Sequence, residues 1–445
     1  MKNNTIHIVP ACGKLSAGIA LLAKSLGFTV KCYDQSPQDP MLSQLRKHGL
    51  SVEKEWPDPN TIKNDLVVLG NTMGRYSAWV EACMDGGVTF MSMPQWLRQY
   101  VLKDRKVIVV AGTHGKTTVT SMVTFFLQKL GCDPGYLIGG QCPSLSASAS
   151  LGSGEYFVIE GDEYDTAFFD KRAKLFWYWP HLALINNLEY DHMDIYPSIQ
   201  DLYQTFQYWL RLVAPTGHIL IDKSLASLGL VHEKQKADYF SAEDMIIQHD
   251  DLYQKFTLRL DKDYTCEWSL IGEVYVKNLI AAMKVVQSLG LSVSAALAHV
   301  NAYQSVDRRM TFVGRTDNII LYDDFAHHPT SIEKVMRLAF TQKKLLIIYP
   351  ENYYMRSVEG LHAVSSLAQA YSQKVIWLHN PRSAFSEDDG RAIFGDCFCM
   401  HSEDVANAVK SMMSPNNVVV TMSAKYLPEL HQAILDINLA VQTDL

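Results

Sequence analysis

Short runs of apolar residues alternate along the chain with longer stretches in which apolar positions recur at helical spacing. The apolar runs are typical of buried strands, and they cover residues 5–9, 27–34, 66–72, 107–110, 157–160, 182–187, 319–324, 344–349, 374–378 and 417–421. The stretches with helical spacing cover residues 19–26, 94–101, 116–127, 202–212 and 278–289. This alternation predicts an α/β protein built on open sheets.

The length of 445 residues suggests about three domains. We expect a Rossmann-like N-terminal domain over residues 1–105, a P-loop ATPase-like central domain over residues 106–310, and a Rossmann-like C-terminal domain over residues 311–445. The first boundary precedes a strand that leads into a glycine turn, and the last precedes a further series of strands and helices.

The composition excludes several classes of protein. The formal net charge of −7 offers no basic field to nucleic acid. No apolar run approaches the roughly 18 residues of a membrane span, and the polar start differs from a signal peptide. The eight cysteines show no zinc-binding spacing. We therefore expect a cytoplasmic protein with reduced thiols and with no nucleic-acid or membrane partner; no oligomeric state is predicted.

The stretch 106–123 carries the first chemical signal. A buried-type strand leads into the glycine turn 112–115, and Lys116, Thr117 and Thr118 then open a helix. Backbone N–H groups of such a turn and the positive end of the helix dipole bind phosphate. A lysine at this position contacts the outer phosphates, and a threonine hydroxyl can hold Mg²⁺. The pattern therefore predicts a nucleotide phosphate site with magnesium.

Acidic residues and a histidine follow the next two strands. Glu160 ends the strand 157–160, and Asp162, Glu163 and Asp165 follow it. Crowded carboxylates repel one another unless a cation is present, although a solvated acidic loop is the alternative. His192 lies between two aspartates after the strand 182–187. We expect Thr117, Glu160 and His192 to come from neighbouring strand ends and to hold one or two Mg²⁺ ions.

The N-terminal region has a degraded dinucleotide-binding pattern. Residues 10–18 are predicted to form a glycine-containing turn, with Gly13 and Gly18 but with Pro10 in the first glycine position. A Rossmann-like half without a nucleotide site fits equally well. The strand 66–72 ends with small and polar residues, among them Asn71, at the edge where open α/β sheets bind ligands.

The strand 319–324 near the start of the last third ends in two acids, which two histidines follow. Asp323, Asp324, His327 and His328 could form a metal site of histidines and carboxylates. Pro329 and the helix after it favour a loop that contacts a ligand instead.

Three motifs resemble the Mur ligase family along nearly the whole chain. Residues 112–118 are similar to its ATP loop, residues 187–196 to its metal–histidine motif, and residues 322–330 to its C-terminal signature. The resemblance implies three domains and an ATP-dependent enzyme that forms amide bonds. It also implies ATP and Mg²⁺ as cofactors.

The resemblance assigns roles to individual residues. Lys116 and His192 are implied to be catalytic, and Thr117, Glu160 and His192 to bind the metal. The implied ATP-binding residues are Gly112, Thr113, Gly115, Lys116, Thr117, Thr118, Asn278, Arg309 and Asp324. The implied substrate-binding residues are Gly13, Gly18, Asn71, His114, Lys171, Arg172, His327 and His328.

The motifs at 70–73, 134–140 and 160–172 are most similar to the branch that joins UDP-N-acetylmuramate to a recycled murein tripeptide, L-alanyl-γ-D-glutamyl-meso-diaminopimelate. Glu351 stands where the family has an arginine expected to meet a carboxylate, and residues 423–425 also depart from the family pattern. L-alanine therefore stays open as the alternative acceptor. A folylpolyglutamate synthetase and a nucleotide-dependent binding protein without ligase activity are more distant alternatives.

Overall fold

The computed structural model describes residues 4–189, 195–249, 254–268, 270, 273–306, 310–316, 319–337, 343–351, 354–412 and 417–437. The chain forms two compact units. Unit 1 comprises Met1–Gln248, Lys255–Trp268 and Tyr275–Val306, and unit 2 comprises His249–Gln254, Ser269–Val274 and Asp307–Leu445.

Unit 1 begins with a five-stranded parallel sheet. Its strands are β1 (Thr5–Val9), β2 (Thr29–Tyr33), β3 (Val52–Glu53), β4 (Leu66–Leu69) and β5 (Thr89–Ser92), in the order β3-β2-β1-β4-β5. Its helices are α1 (Lys14–Ser25), α2 (Met41–Lys47), α3 (Ala78–Asp85) and α4 (Met93–Leu97). The strand order reverses between β1 and β4, which is the point where open α/β sheets have a ligand-binding crevice outside the carboxyl ends of the strands.

The turn predicted for residues 10–18 is wrong beyond Gly13, because α1 begins at Lys14. Gly13 is the N-cap residue and has no side chain that could cap the helix. The local sequence therefore gives no side-chain signal that a helix begins there. Gly18 lies inside the helix and is buried. A Cβ atom on Gly18 would lie 3.0 Å from Cγ of Leu137 and 3.3 Å from Cβ of Ala149, so close packing explains this glycine.

A seven-stranded sheet forms the centre of unit 1. The elements of this region are β6 (Lys106–Ala111), α5 (Lys116–Lys129), β7 (Gly135–Leu137), β8 (Ala149–Ser150), β9 (Tyr156–Gly161), β10 (Asp165–Ala167), β11 (Asp170–Ala173), β12 (Leu182–Ile185), α6 (Ile199–Leu210), β13 (His218–Asp222) and β14 (Ala237–Phe240). The sheet has the order β14-β13-β12-β6-β9-β7-β8, and β10 and β11 form a separate hairpin. Neighbouring strands within this sheet are parallel, except that β7 and β8 are antiparallel. Ala111 pairs with Gly161 and Ile185, so β6, β9 and β12 end side by side.

The five-stranded and seven-stranded sheets share one hydrophobic core, which joins α1 and α4 to the strands β6, β9 and β12. Buried polar contacts add to it. Gln44 on α2 donates from Nε2 to Oγ of Ser148 at 2.7 Å and accepts from the backbone N–H of Ser148 at 2.9 Å. The boundary that we predict at residue 105 therefore separates two sheets that pack tightly against each other.

A smaller sheet and two helices follow the central sheet in the chain. They are β15 (Met245–His249), β16 (Gln254–Arg259), β17 (Asp263–Trp268), α7 (Glu273–Ser288) and α8 (Val293–Leu297), and the strand order is β15-β16-β17. Asn278 on α7 is buried and directed toward the glycine turn that precedes α5.

Unit 2 contains a six-stranded sheet. Its elements are β18 (Thr311–Arg315), β19 (Ile319–Asp324), α9 (Pro329–Met336), β20 (Lys344–Ile348), α10 (Val358–Ala370), β21 (Lys374–Leu378), α11 (Glu387–Phe394), β22 (Phe398–Cys399), α12 (Ser402–Met412), β23 (Asn417–Met422) and α13 (Pro428–Leu435). The order is β18-β19-β23-β20-β21-β22, and only β18 is antiparallel to its neighbour. Apolar clusters cover both faces, as expected for a buried parallel sheet.

The predicted α/β class is confirmed, since helices and parallel sheets alternate in both units. Within the residues described above, no helix is both long enough and apolar enough to cross a membrane.

Candidate active site

The glycine turn between β6 and α5 is held by asparagines from the adjacent strand end and from α7. Gly112 and Gly115 have φ angles of +137° and +81°, which side chains with a Cβ rarely adopt. A Cβ on Gly112 would lie 2.8 Å from the carbonyl oxygen of Asn187. A Cβ on Gly115 would lie 2.9 Å from both Nδ2 of Asn186 and Oδ1 of Asn278. Both glycines are therefore required by backbone conformation and by space.

Hydrogen bonds fix the rest of the turn. The backbone N–H of His114 donates to Oδ1 of Asn187 at 2.8 Å, and Nδ2 of Asn187 donates to the carbonyl of His114 at 2.8 Å. The Thr113 hydroxyl accepts from the backbone N–H of Glu189 at 2.8 Å, and the His114 imidazole lies 3.2 Å from the Glu189 carboxylate. The turn is thus rigid before α5 begins, and Thr118 is buried in the first turn of that helix.

Lys116 opens α5 and is held by Glu163. Its Nζ donates to both carboxylate oxygens of Glu163 at 2.9 Å and to the carbonyl of Gly112 at 2.7 Å. Burial disfavours the charged ammonium, but the carboxylates of Glu163 and Asp162 outweigh this effect and raise the pKa of Lys116. The lysine therefore stays charged at the amino end of the helix, where it can meet a phosphate.

Thr117 and Glu160 lie together, as predicted for two metal ligands. The Thr117 hydroxyl donates to Oε2 of Glu160 at 3.0 Å, and the backbone N–H of Gly139 donates to Oε1. Burial raises the pKa of Glu160, and the hydrogen bond from Gly139 and the charges of Lys14 and Lys116 only partly offset it. A half-buried carboxylate beside a hydroxyl suits Mg²⁺, because a divalent cation would stabilise its charged form.

The other acids of this stretch have lysine partners. Lys174 lies 2.6 Å from Asp162, and Lys171 lies 2.6 Å from Asp165. Together with the ion pair of Lys116 and Glu163, these ion pairs reduce the repulsion among the acids from which the sequence predicts a bound cation. Glu160 differs, because it makes no ion pair within the range of residues described here.

His192 and Arg309 fall outside the described residues, so their predicted roles stay predictions. Among the residues that the structure does describe, no group of three or more His, Cys, Asp or Glu side chains could hold a metal ion. Thr117 and Glu160 are therefore the two predicted ligands whose positions are known, and they fit magnesium.

The predicted sugar-nucleotide residues occupy different positions in unit 1. Gly13 is the N-cap of α1 at the end of β1, beside the crevice between β1 and β4. Asn71 follows β4, on the other side of that crevice, and donates to Asp165 at 3.4 Å. A Cβ on Gly70 would lie 3.1 Å from Cδ of Pro10, so the two loops approach closely. Gly18 lies away from this crevice and packs against β7 and β8.

Lys171 and Arg172 lie on the hairpin β10–β11. Arg172 contacts Asp170 through Nε and Nη2, both at 2.9 Å, and lies over the Trp177 ring at 5.4 Å. The indole N–H of Trp177 donates to the same carboxylate at 3.0 Å. Their substrate-binding role remains a prediction.

The histidine–aspartate segment of unit 2 forms a structured loop. Asp324 accepts from the backbone N–H groups of Met310 at 2.8 Å and Ala326 at 2.7 Å. Asp323 is buried and accepts from the Thr421 hydroxyl at 3.1 Å. Nδ1 of His327 lies 2.6 Å from the carbonyl oxygen of Phe325, and the His328 ring lies 5.5 Å from the Tyr354 ring. These contacts favour a ligand-contacting loop over a metal site, and the ligand role of Asp324, His327 and His328 stays a prediction.

A set of charged residues lies at the same carboxyl edge of the unit 2 sheet. Buried Asn380, after β21, donates to the carbonyl of Pro350 at 2.6 Å and accepts from the N–H of Arg382 at 3.0 Å. The side chains of Glu351 and Arg382 make no hydrogen bond or ion pair to any residue in the described ranges. Burial and the Glu351 charge raise the pKa of Tyr349, whereas Arg382 opposes this, so the two charges lie near that phenol.

Sequence reasoning missed Asn186 and Gly139, which hold the glycine turn and Glu160. Asn186 lies inside the predicted strand 182–187 but follows the observed β12, and a polar residue near a strand end is a signal for a site. Gly139 belongs to the motif 134–140, which indicates the branch of the family but not a contact with Glu160. Its contact with Glu160 depends on strands that are distant in the sequence.

Comparison with known proteins identifies the family. Residues 110–286 match the Mur ligase middle domain, and residues 308–425 match the Mur ligase, glutamate ligase domain. A UDP-N-acetylmuramate–L-alanyl-γ-D-glutamyl-meso-2,6-diaminoheptandioate ligase from Escherichia coli is 35% identical over 342 residues, which cover 74% of this chain and 73% of the relative. The chain belongs to the Mur ligase family, whose members are ATP-dependent ligases that form amide bonds.

Solved structures extend the likeness to the whole chain. A murein peptide ligase from Psychrobacter arcticus is 30% identical with a TM-score of 0.70, covering 98% of this chain and 99% of that structure. A UDP-N-acetylmuramate–alanine ligase from Thermotoga maritima has a TM-score of 0.78 at 20% identity, covering 97% and 98%, and shares the fold. The predicted three-domain architecture is confirmed, while the boundaries at 105 and 310 stay predictions.

Proposed function

We propose that the chain uses ATP to join UDP-N-acetylmuramate to L-alanyl-γ-D-glutamyl-meso-diaminopimelate, a reaction of peptidoglycan recycling. The observation that carries the proposal is the 35% identity to the Escherichia coli relative that is named for this reaction. The cluster of Lys116, Thr117 and Glu160 supports the nucleotide half of the chemistry. Because ATP is consumed, we also propose that the reaction occurs in the cytoplasm.

Activation of a carboxylate by ATP requires charge compensation. The lactyl carboxylate of UDP-N-acetylmuramate and the γ-phosphate are both negative and repel each other. The Lys116 ammonium and the N–H groups at the start of α5 offset that repulsion. Attack of the carboxylate oxygen on the γ-phosphorus then gives an acyl phosphate and ADP. Thr117 and Glu160, with His192 as the predicted third ligand, would hold Mg²⁺, which supplies further positive charge to the phosphates.

Amide formation follows from the acyl phosphate. The free amine of the peptide's alanine attacks the activated carbonyl carbon and loses a proton to the leaving phosphate, which departs with the electron pair of the broken C–O bond. We propose that the uridine diphosphate lies in the crevice between β1 and β4, near Gly13 and Asn71, since open parallel sheets bind ligands there. The acceptor peptide is proposed to lie at the carboxyl edge of the unit 2 sheet.

A phosphate-release assay tests the proposal. The full-length protein is supplied with ATP, Mg²⁺ and UDP-N-acetylmuramate, together with alanine, a dipeptide or the tripeptide. We expect phosphate release that needs both the sugar nucleotide and an acceptor, with the tripeptide giving the largest kcat/KM. The new amide is identified by mass spectrometry.

The outcomes separate the alternatives. Alanine used as well as the tripeptide would favour a UDP-N-acetylmuramate–alanine ligase, a class that includes relatives 25% identical over 97% of the chain. No phosphate release with any acceptor would favour a nucleotide-dependent binding protein.

A further inference from the structure

Residues 139–144, which we call the Gly139 loop, lie shortly after β7. They contact the predicted metal ligands and the last residues of unit 1 before the chain leaves it. The sequence of the loop is Gly-Gly-Gln-Cys-Pro-Ser, and the proposed reaction assigns it no role. All the contacts described next lie within unit 1.

The first contact of the Gly139 loop is with Glu160. The backbone N–H of Gly139 donates to Oε1, which leaves Oε2 to accept from the Thr117 hydroxyl at 3.0 Å. A Cβ on Gly139 would lie 3.0 Å from Oε2 and 3.1 Å from Oε1. The absence of a side chain at this position therefore lets the backbone approach the carboxylate and determine which of its oxygens faces Thr117.

The second contact is with the residues 304–306. A Cβ on Gly140 would lie 3.0 Å from Cγ1 of Val306 and 3.6 Å from Cγ2 of Thr117. Gly140 thus lies between the predicted metal ligand and the last residue of unit 1.

Hydrogen bonds strengthen the connection to Gln304. The Ser144 hydroxyl accepts from the backbone N–H of Gln304 at 2.6 Å and donates to its carbonyl at 3.2 Å. The Cys142 thiol donates to the same carbonyl at 3.3 Å. One short loop therefore joins Glu160 to Gln304, although 144 positions of sequence separate them (304 − 160).

We propose that the Gly139 loop is a positioning element that orients Glu160 toward magnesium and connects the metal site mechanically to residues 304–306. Gly139 acts through Glu160, and Ser144 acts through Gln304, so both are positioning residues. The inference rests on the proposed function in one respect, because it takes Glu160 to be a magnesium ligand.

Two consequences follow from such a connection. A group that orients a metal ligand from behind contributes to metal affinity, typically by a factor of about 10 to 100. Binding at one end of a coupled pair of sites also changes the other end, and the coupling is reciprocal. Binding of magnesium with ADP should therefore restrain residues 304–306.

The first experiment measures binding rather than turnover. Mg²⁺ is titrated into the full-length protein in the presence of saturating ADP, with calorimetry as the readout. We expect Gly139→Ala to weaken Mg²⁺ binding at least tenfold, because the new methyl group meets both oxygens of Glu160. The melting temperature and circular dichroism of the variant show that it is folded.

The second experiment follows hydrogen exchange of the backbone amides at residues 303–306, with and without Mg²⁺ and ADP. We expect the ligands to slow exchange there in the natural protein. Ser144→Ala should abolish this protection, and Ser144→Thr, which keeps the hydroxyl, should restore it. The matched control is Ser153→Ala, since Ser153 makes a comparable 2.6 Å hydrogen bond to Asp133 near the opposite end of β9.

The outcomes are distinguishable. Undiminished Mg²⁺ affinity in a folded Gly139→Ala variant, or ligand protection that persists in Ser144→Ala, would overturn the positioning role while leaving the proposed ligase intact. Absence of Mg²⁺ and ADP binding by the natural protein would instead overturn the proposed function, and this inference with it.

Discussion

The carboxyl edge of the central sheet and that of the unit 2 sheet both carry charged residues, but they differ in how those charges are satisfied. Beside the glycine turn, Lys116 forms an ion pair with Glu163, and Lys174 forms one with Asp162. At the unit 2 edge, the side chains of Glu351 and Arg382 have no such partners among the described residues. The edge beside the glycine turn is therefore preorganised by the protein, whereas the charges at the unit 2 edge are available to a ligand.

The largest effect is expected at the preorganised edge. Lys116→Ala should lower kcat by about a thousandfold, because the charge that offsets phosphate repulsion is removed. It also removes the Lys116 ammonium from the buried Glu163 carboxylate, which costs about 3–5 kcal/mol of folding stability. Phosphate release and chemical denaturation measure the two effects.

A double variant separates activity from stability at this edge. In Lys116→Ala/Glu163→Gln the negative charge at position 163 is removed together with the ammonium, so we expect stability to recover and activity to stay low. Recovery of activity together with stability would show that Lys116 acts only by holding the fold.

The next largest effect concerns the carboxyl edge of the unit 2 sheet, where we propose that the acceptor peptide lies. Glu351→Gln should lower kcat/KM for the tripeptide about tenfold, because the far end of diaminopimelate carries an ammonium that a carboxylate can bind. The kcat/KM for alanine should not change. Glu403→Gln, an exposed residue on α12, is the control. Equal losses with both acceptors would show that Glu351 does not discriminate between them.

A smaller effect, on folding stability, is expected at Gly18, which is predicted from the sequence to bind substrate. Gly18→Val should destabilise the fold by about 1–3 kcal/mol, because α1 packs against Leu137 and Ala149 without room for a side chain. Ser25→Val, at an exposed position of the same helix, provides the comparison in urea denaturation. A raised KM for the sugar nucleotide at unchanged stability would contradict the packing explanation.

The smallest effect is a pH dependence of the ion pair between Lys174 and Asp162. Burial alone would raise the pKa of Asp162, but Lys174 and Lys116 together hold it below its ordinary value of 3.8. The stabilisation is therefore present above pH 3.8 and is lost as the pH falls below it. Lys174→Met should cost about 1 kcal/mol at pH 7, since solvent screens this partly exposed pair. A cost that grows on acidification would refute the assignment.

The sequence predicted most strands well, because their apolar runs end abruptly at polar residues. The predicted bounds of β19 and β21 agree with the observed Ile319–Asp324 and Lys374–Leu378. The start of α1 was missed, since Gly13 provides no side-chain cap and Gly18 resembled a turn residue. A glycine that is required by packing against another sheet cannot be recognised from local sequence.

The candidate site could be predicted in part. The strand–turn–helix pattern identified Lys116 and Thr117, and the strand ends identified Glu160, which lies 3.0 Å from Thr117. The ion pair between Lys116 and Glu163 and the support from Asn186 and Gly139 depend on which strands lie side by side. Such contacts become evident only when the order β12-β6-β9-β7 is known.

The core that the five-stranded and seven-stranded sheets share has a consequence for the exchange of gene segments. Gln44 and Gly18 each fit partners on the central sheet, namely Ser148 for the first and Leu137 and Ala149 for the second. A chimera that replaces the first hundred residues with those of a relative must also supply complementary side chains at positions 137, 148 and 149. Recombination at residue 105 alone would join a five-stranded sheet and a seven-stranded sheet whose contacting side chains do not match.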